Sequence, residues 1–119
     1  LNQLEKVDIT LNRKENGSEF LDLDWEKSTT IHFIPNEHID HNLLSKLPNI
    51  CGVAFVKEAY FKMGIVTAHE GMLIDQKNIV HASSEFGETV NVDFMDYYFR
   101  DKGPLFDGIM VYSFQPIRQ

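Results

Sequence analysis

Ala68-His69-Glu70-Gly71-Met72-Leu73-Ile74-Asp75-Gln76-Lys77-Asn78-Ile79-Val80-His81-Ala82-Ser83-Ser84 is the stretch whose folding organises the rest of the chain. Two apolar runs flank the polar tripeptide Gln76-Lys77-Asn78, a pattern that predicts an antiparallel hairpin. If residues 71–74 pair with residues 79–81, His69 and His81 come to the same end of adjacent strands, close enough for their imidazoles to meet. Two histidines held in this way are positioned to activate a nucleophile. In a cysteine hydrolase one ring takes the thiol proton, and a second polar group keeps that ring in a productive tautomer and orientation.

Outward from the hairpin, residues 50–57, 65–75, 79–83 and 109–114 read as successive strands of one sheet. Nearer the start, Val7-Asp8-Ile9-Thr10-Leu11 alternates apolar and polar residues, as does Phe20-Leu21-Asp22-Leu23-Asp24-Trp25 beyond the Asn16-Gly17 turn signal. Residues 29–34 are rich in β-branched and aromatic side chains and end at Pro35, which predicts a further strand. Ile39, Leu43, Leu44 and Leu47 then fall at helical spacing, with Asn36 as N-cap and Pro48 just past the end. Asp93 is placed to cap a short helix carrying Phe94, Tyr97 and Tyr98, and Gly103-Pro104 and Asp107-Gly108 mark turns. The predicted class is α+β, an antiparallel sheet with short helices, in a single domain spanning residues 1–119.

Composition narrows the partners. The chain has 119 residues, 43% hydrophobic and 24% charged, enough for one domain with a real core. Its 11 Lys and Arg against 18 Asp and Glu give a net charge of -7, which repels phosphate backbones and argues against nucleic acid as a partner. No apolar run approaches the roughly 18 residues that a membrane span requires. The opening Leu1-Asn2-Gln3-Leu4-Glu5-Lys6 has neither an initiating methionine nor the pattern of a signal peptide, so further sequence is expected before Leu1. The one cysteine, Cys51, excludes an intrachain disulfide and any multi-cysteine metal site.

The hairpin resembles the histidine hairpin of NlpC-like peptidoglycan hydrolases. There a His-x-Gly-apolar-apolar strand is followed by a second histidine in an apolar-His-Ala setting, twelve residues on as here. Phe33-Ile34-Pro35, the Leu43-Leu44 helix, His81-Ala82-Ser83-Ser84, Thr89-Val90 and Asp96-Tyr97-Tyr98 resemble one branch, the N-acetylmuramoyl-L-alanine amidase-like family, over residues 31–114. The resemblance implies a papain-like, NlpC-type cysteine hydrolase fold with His69 as general base and His81 as orienting residue. It also implies that the substrate is the peptide stem of bacterial peptidoglycan, cut at an amide bond, with no cofactor, and that the protein is exported to the periplasm or cell surface. In this family the nucleophilic cysteine opens a helix well ahead of the sheet. Cys51 precedes His69 by 18 residues and lies in a strand-like run, and Asn49-Ile50-Cys51-Gly52 stands where the family has a Gly-Asp pair. The chain is therefore expected to be the C-terminal, histidine-bearing part of an NlpC-like domain, with the nucleophile on a segment upstream of Leu1. Alone it should be inert.

Other candidates carry less. Cys51, in an apolar run, reads as a small buried hydrophobe. On a strand Glu70 points away from His69, and Ser83 and Ser84 read as turn residues. His32, His38, His41 and Asp40 match no established zinc spacing, so no metal is expected. Two alternatives remain open at this level: an inactive binding module of the same fold, and an enzyme of this fold acting on another acyl compound.

Overall fold

The alternating segments form strands in a computed structural model that describes residues 4–11, 27–83 and 85–113. In chain order they are β1 (Glu5–Leu11), β2 (Lys27–Pro35), β3 (Ile50–Val56), β4 (Thr67–Ile74), β5 (Asn78–Ser83), β6 (Glu88–Asp93), β7 (Phe99–Arg100), β8 (Gly103–Pro104) and β9 (Gly108–Ser113). Seven of them make one sheet in the order β1-β2-β9-β3-β4-β5-β6, every pairing antiparallel, while β7 and β8 form a separate ribbon. With α1 (His41–Ser45) and α2 (Phe94–Tyr98) the architecture is α+β. The strand expected over residues 20–25 lies outside the described residues. No helix among those described is long and apolar enough to cross a membrane.

Cys51, Val53 and Phe55 alternate onto one face of β3, where Leu73, Ile79 and Ile109 from neighbouring strands join them. Leu43 and Leu44 of α1 and Phe94 and Tyr98 of α2 cover that face and close the main core. Ile31, Phe33 and Val56 form a smaller core on the opposite face of the sheet, packed against Val7, Phe61, Val66 and Met110.

The helix expected from Asn36 through Leu47 is broken. A 3₁₀ turn spans Asn36–His38, Ile39 is extended, and α1 begins only after Asp40, whose carboxylate accepts the Leu43 N–H at 2.8 Å. Aspartate is a strong N-cap. Asn36 is engaged elsewhere: its amide donates to Phe106 O at 2.6 Å and its carbonyl oxygen accepts the Tyr98 hydroxyl at 2.6 Å.

The β4–β5 turn sits one residue earlier than the sequence suggested. Asp75 and Gln76 both take left-handed backbone, φ 53° and 61°, and the Lys77 N–H donates to Ile74 O at 3.1 Å. That conformation matches the twist of the strands but is disfavoured for side chains larger than Gly or Asn. Two contacts hold it: Gln76 Nε2 donates to Leu47 O and the Asp75 N–H to Asn49 O, each at 2.6 Å.

Candidate active site

Antiparallel register sets the histidines face to face. Gly71 lies opposite His81, so His69, two residues back on the same face of β4, is the diagonal neighbour of His81. A Cβ at Gly71 would stand 3.0 Å from both Ile79 Cδ1 and Val80 O, so a larger residue there would have to push on the strand that carries His81. On the other side of β4, Phe55 pairs with His69 and Val56 with Thr67, leaving Ala68 as the extra residue of a bulge. Bulges turn a strand locally and re-aim its side chains.

His69 Nε2 lies 2.9 Å from His81 Nδ1, and the two rings meet edge to face with centroids 5.0 Å apart. Phe55 stacks on His69 at 5.7 Å, Phe106 lies nearly parallel to it at 6.5 Å, and Tyr97 packs on His81 at 4.3 Å. His81 is 6% exposed, and its Nε2 is buried with no hydrogen-bond partner among the described residues. Burial, reinforced by the neighbouring His69 and by Arg100, holds its pKa below the ordinary histidine value, although the Ala82 backbone opposes this. His81 is therefore neutral at neutral pH and able to accept a hydrogen bond.

Both histidines line a cleft of about 370 Å³ that Tyr97, Phe106, Lys57 and Arg100 also wall. Lys57 Nζ sits 6.0 Å from the centroid of Phe106, and the Arg100 guanidinium 5.5 Å from that of Tyr97. Arg100 also pairs loosely with Glu85 at 3.6 Å. A second cavity of about 200 Å³ shares His81, Tyr97 and Arg100 and adds the apolar Phe86, Val90 and Val92.

Cys51 is placed elsewhere. It is fully buried between Leu73 and Ser113, and burial pushes its thiol pKa up. It lies four positions along β3 from Phe55, the residue opposite His69, a span of about 13 Å. Glu70 is exposed. The Ser83 hydroxyl accepts the Phe86 N–H at 3.2 Å, as a turn residue does, and Ser84 lies outside the described residues. Asp40 serves as the α1 cap, and no cluster of three His, Cys, Asp or Glu among the described residues could hold a metal ion.

Sequence reasoning overlooked the two cations. Lys57 directly follows the apolar run of β3 and Arg100 ends the aromatic stretch after α2, and neither position stands at a recognisable spacing from the histidines. Phe106 arrives in the cleft from the loop before β9, where the sequence shows only turn signals.

No curated protein and no solved structure matched the chain. The family model described as AmiA-like, N-acetylmuramoyl-L-alanine amidase-like, matches residues 2–104. That match covers the whole histidine hairpin, α2 and nearly all of the sheet, and by it the chain belongs to the N-acetylmuramoyl-L-alanine amidase-like family of hydrolases.

Proposed function

We propose that this chain supplies the general base and the orienting histidine of a cysteine-dependent hydrolase that cleaves an amide bond in the peptide stem of bacterial peptidoglycan. The observation that carries the reading is the 2.9 Å contact between His69 Nε2 and His81 Nδ1. A neutral His81 accepting at Nδ1 keeps the His69 proton on Nε2, which leaves the lone pair on His69 Nδ1 free to receive a thiol proton. His69 Nδ1 makes no hydrogen bond to any described residue.

The chemistry then follows the general course of cysteine acyl transfer. The thiol proton passes to His69 Nδ1, and the thiolate adds to the amide carbonyl. The tetrahedral adduct collapses to a thioester as the C–N bond breaks, and the departing amine takes the proton from His69. Water, deprotonated by the same nitrogen, attacks the thioester, releasing the acid and restoring the thiol. The burial of Cys51 and its distance along β3 support a nucleophile from outside these 119 residues, on a preceding segment of the same NlpC-type, papain-like domain. Because peptidoglycan lies outside the cytoplasmic membrane, the protein acts after export, in the periplasm or at the cell surface.

The test is turnover of purified peptidoglycan by the intact protein. His69→Ala should lower the rate by about 10²–10⁴-fold, the usual worth of a general base, and His81→Ala should leave a larger remnant because it misaligns the base without removing it. Near wild-type turnover by a folded His69→Ala protein would overturn the assignment.

A further inference from the structure

We propose that Lys57 and Arg100 make the histidine cleft selective for a substrate carrying a free carboxylate close to the scissile amide. The inference rests on the reading of the cleft as an amide-hydrolase site and names the substrate feature that the site selects.

Three observations carry it. First, the two cations are mounted on the rings that hold the histidines: Phe106 lies against His69 and under Lys57, and Tyr97 lies against His81 and under Arg100. Phe106 and Tyr97 are themselves in contact at 6.4 Å, so both cations border one cleft from a shared aromatic floor. Cation–π contact at such distances steadies the charged head without neutralising it.

Second, the sign of this cleft departs from the rest of the molecule. The chain carries a net charge of -7, yet among the described residues Lys57 and Arg100 stand in the cleft against one carboxylate, Glu85. Lys57 has no acidic partner among the described residues. A cleft of one sign within a protein of the other concentrates ligands of the opposite charge.

Third, the carboxylate that the described residues place in the cleft is loosely held. Glu85 meets Arg100 at 3.6 Å with both side chains largely exposed, 60% and 46%. Exposed pairs of this kind are weak and readily exchanged. A substrate carboxylate entering the cleft can take the Arg100 fork in a two-point contact that Glu85, as it stands, does not make. A volume of about 370 Å³ suits a short peptide segment, not a polymer strand.

The experiment compares two forms of one N-acetylated stem dipeptide, free acid and carboxamide, on the intact protein. Wild type should prefer the free acid in kcat/KM. Lys57→Gln and Arg100→Gln should each lower the acid-to-amide ratio by about tenfold, through KM more than kcat. Glu85→Gln should raise that ratio by removing the competitor. Equal use of the two forms by wild type, or ratios unmoved in Lys57→Gln and Arg100→Gln, would overturn the proposal while leaving the hydrolase reading intact. If the protein cleaves neither form, turnover of purified peptidoglycan decides the hydrolase reading, and binding decides the selectivity. Imidazole NMR shifts of His69 and His81 titrated with each form should then show tighter binding of the acid in wild type, lost in the two cation variants. Identical titrations would sink it.

Discussion

The two ends of the sheet differ in what stands behind them. At the histidine end, β3, β4 and β5 lie under α1 and α2, and Phe55, Leu73, Ile79, Phe94 and Tyr98 are completely buried. At the other end, β1 and β2 share seven paired positions with each other, but β2 joins β9 through only two, Ile34 with Ile109 and Pro35 with Gly108. By contrast β3 and β9 share six. The lesson is that the imidazole contact draws its rigidity from the helix-backed half, and the β1–β2 ribbon can loosen without disturbing it.

The most severe way to break this asymmetry is Phe55→Ala. Phe55 is wholly buried, stacks on His69 and lies 4.7 Å from Phe106, so the cavity would open directly beneath the cleft. Urea unfolding should show a loss of about 3–5 kcal/mol. A loss below about 1 kcal/mol would mean that the helix-backed core does not anchor the site.

A milder change should separate the two ends. At Gly108 a Cβ would come within 2.5 Å of both Ile34 O and Phe33 Cδ2, so Gly108→Ala forces β2 away from β9. Overpacking of this order costs about 1–3 kcal/mol. Hydrogen exchange should accelerate along β1 and β2 while the amides of β4 and β5 keep their protection. Equal acceleration at both ends would contradict the division.

The smallest effect is confined to His81. Its folded pKa lies below the unfolded value of 6.5, so below that pH the unfolded chain binds the extra proton. The stability that His81 confers is complete above pH 6.5 and is lost as the pH falls toward its folded pKa. Thermal melts across this range should show a steeper acid decline for the wild type than for His81→Gln. Parallel curves would mean that His81 is not held neutral by burial.

Much of the helix-backed half was legible in the sequence because its information is local. The apolar runs of β3, β4 and β5 and the Asp93-capped helix each occupy a few consecutive residues, and a twelve-residue separation sufficed to bring the histidines together. β6 went unread because Val90 and Val92 are only half-buried and alternate with polar residues that served equally well as a lead-in to α2. Asn36 was misread as a cap because its actual partners, Phe106 and Tyr98, are more than sixty residues away in sequence. Lys57 was illegible for a similar reason, since its ring, Phe106, comes from the distant loop before β9, whereas Arg100 sits just past α2 on Tyr97, a local contact that by itself gives no sign of the cleft. The sole cysteine, by contrast, read correctly as core, since an apolar run on both sides is a purely local signal.

The clamped turn at Asp75 and Gln76 acts, finally, as a parity lock. Side chains on a strand alternate faces, so adding or deleting a single residue between Ile74 and Asn78 would carry His81 to the outer surface of the sheet while His69 stayed within. An even change could preserve the face but would slide His81 along β4, away from the gap beside Gly71. The bonds from Gln76 to Leu47 and from Asp75 to Asn49 tie the turn to the loop that leads out of α1, so the count is checked against a second segment of the chain. Length variation in this family should therefore collect in other loops, and a change at this one should coincide with loss of one of the two histidines.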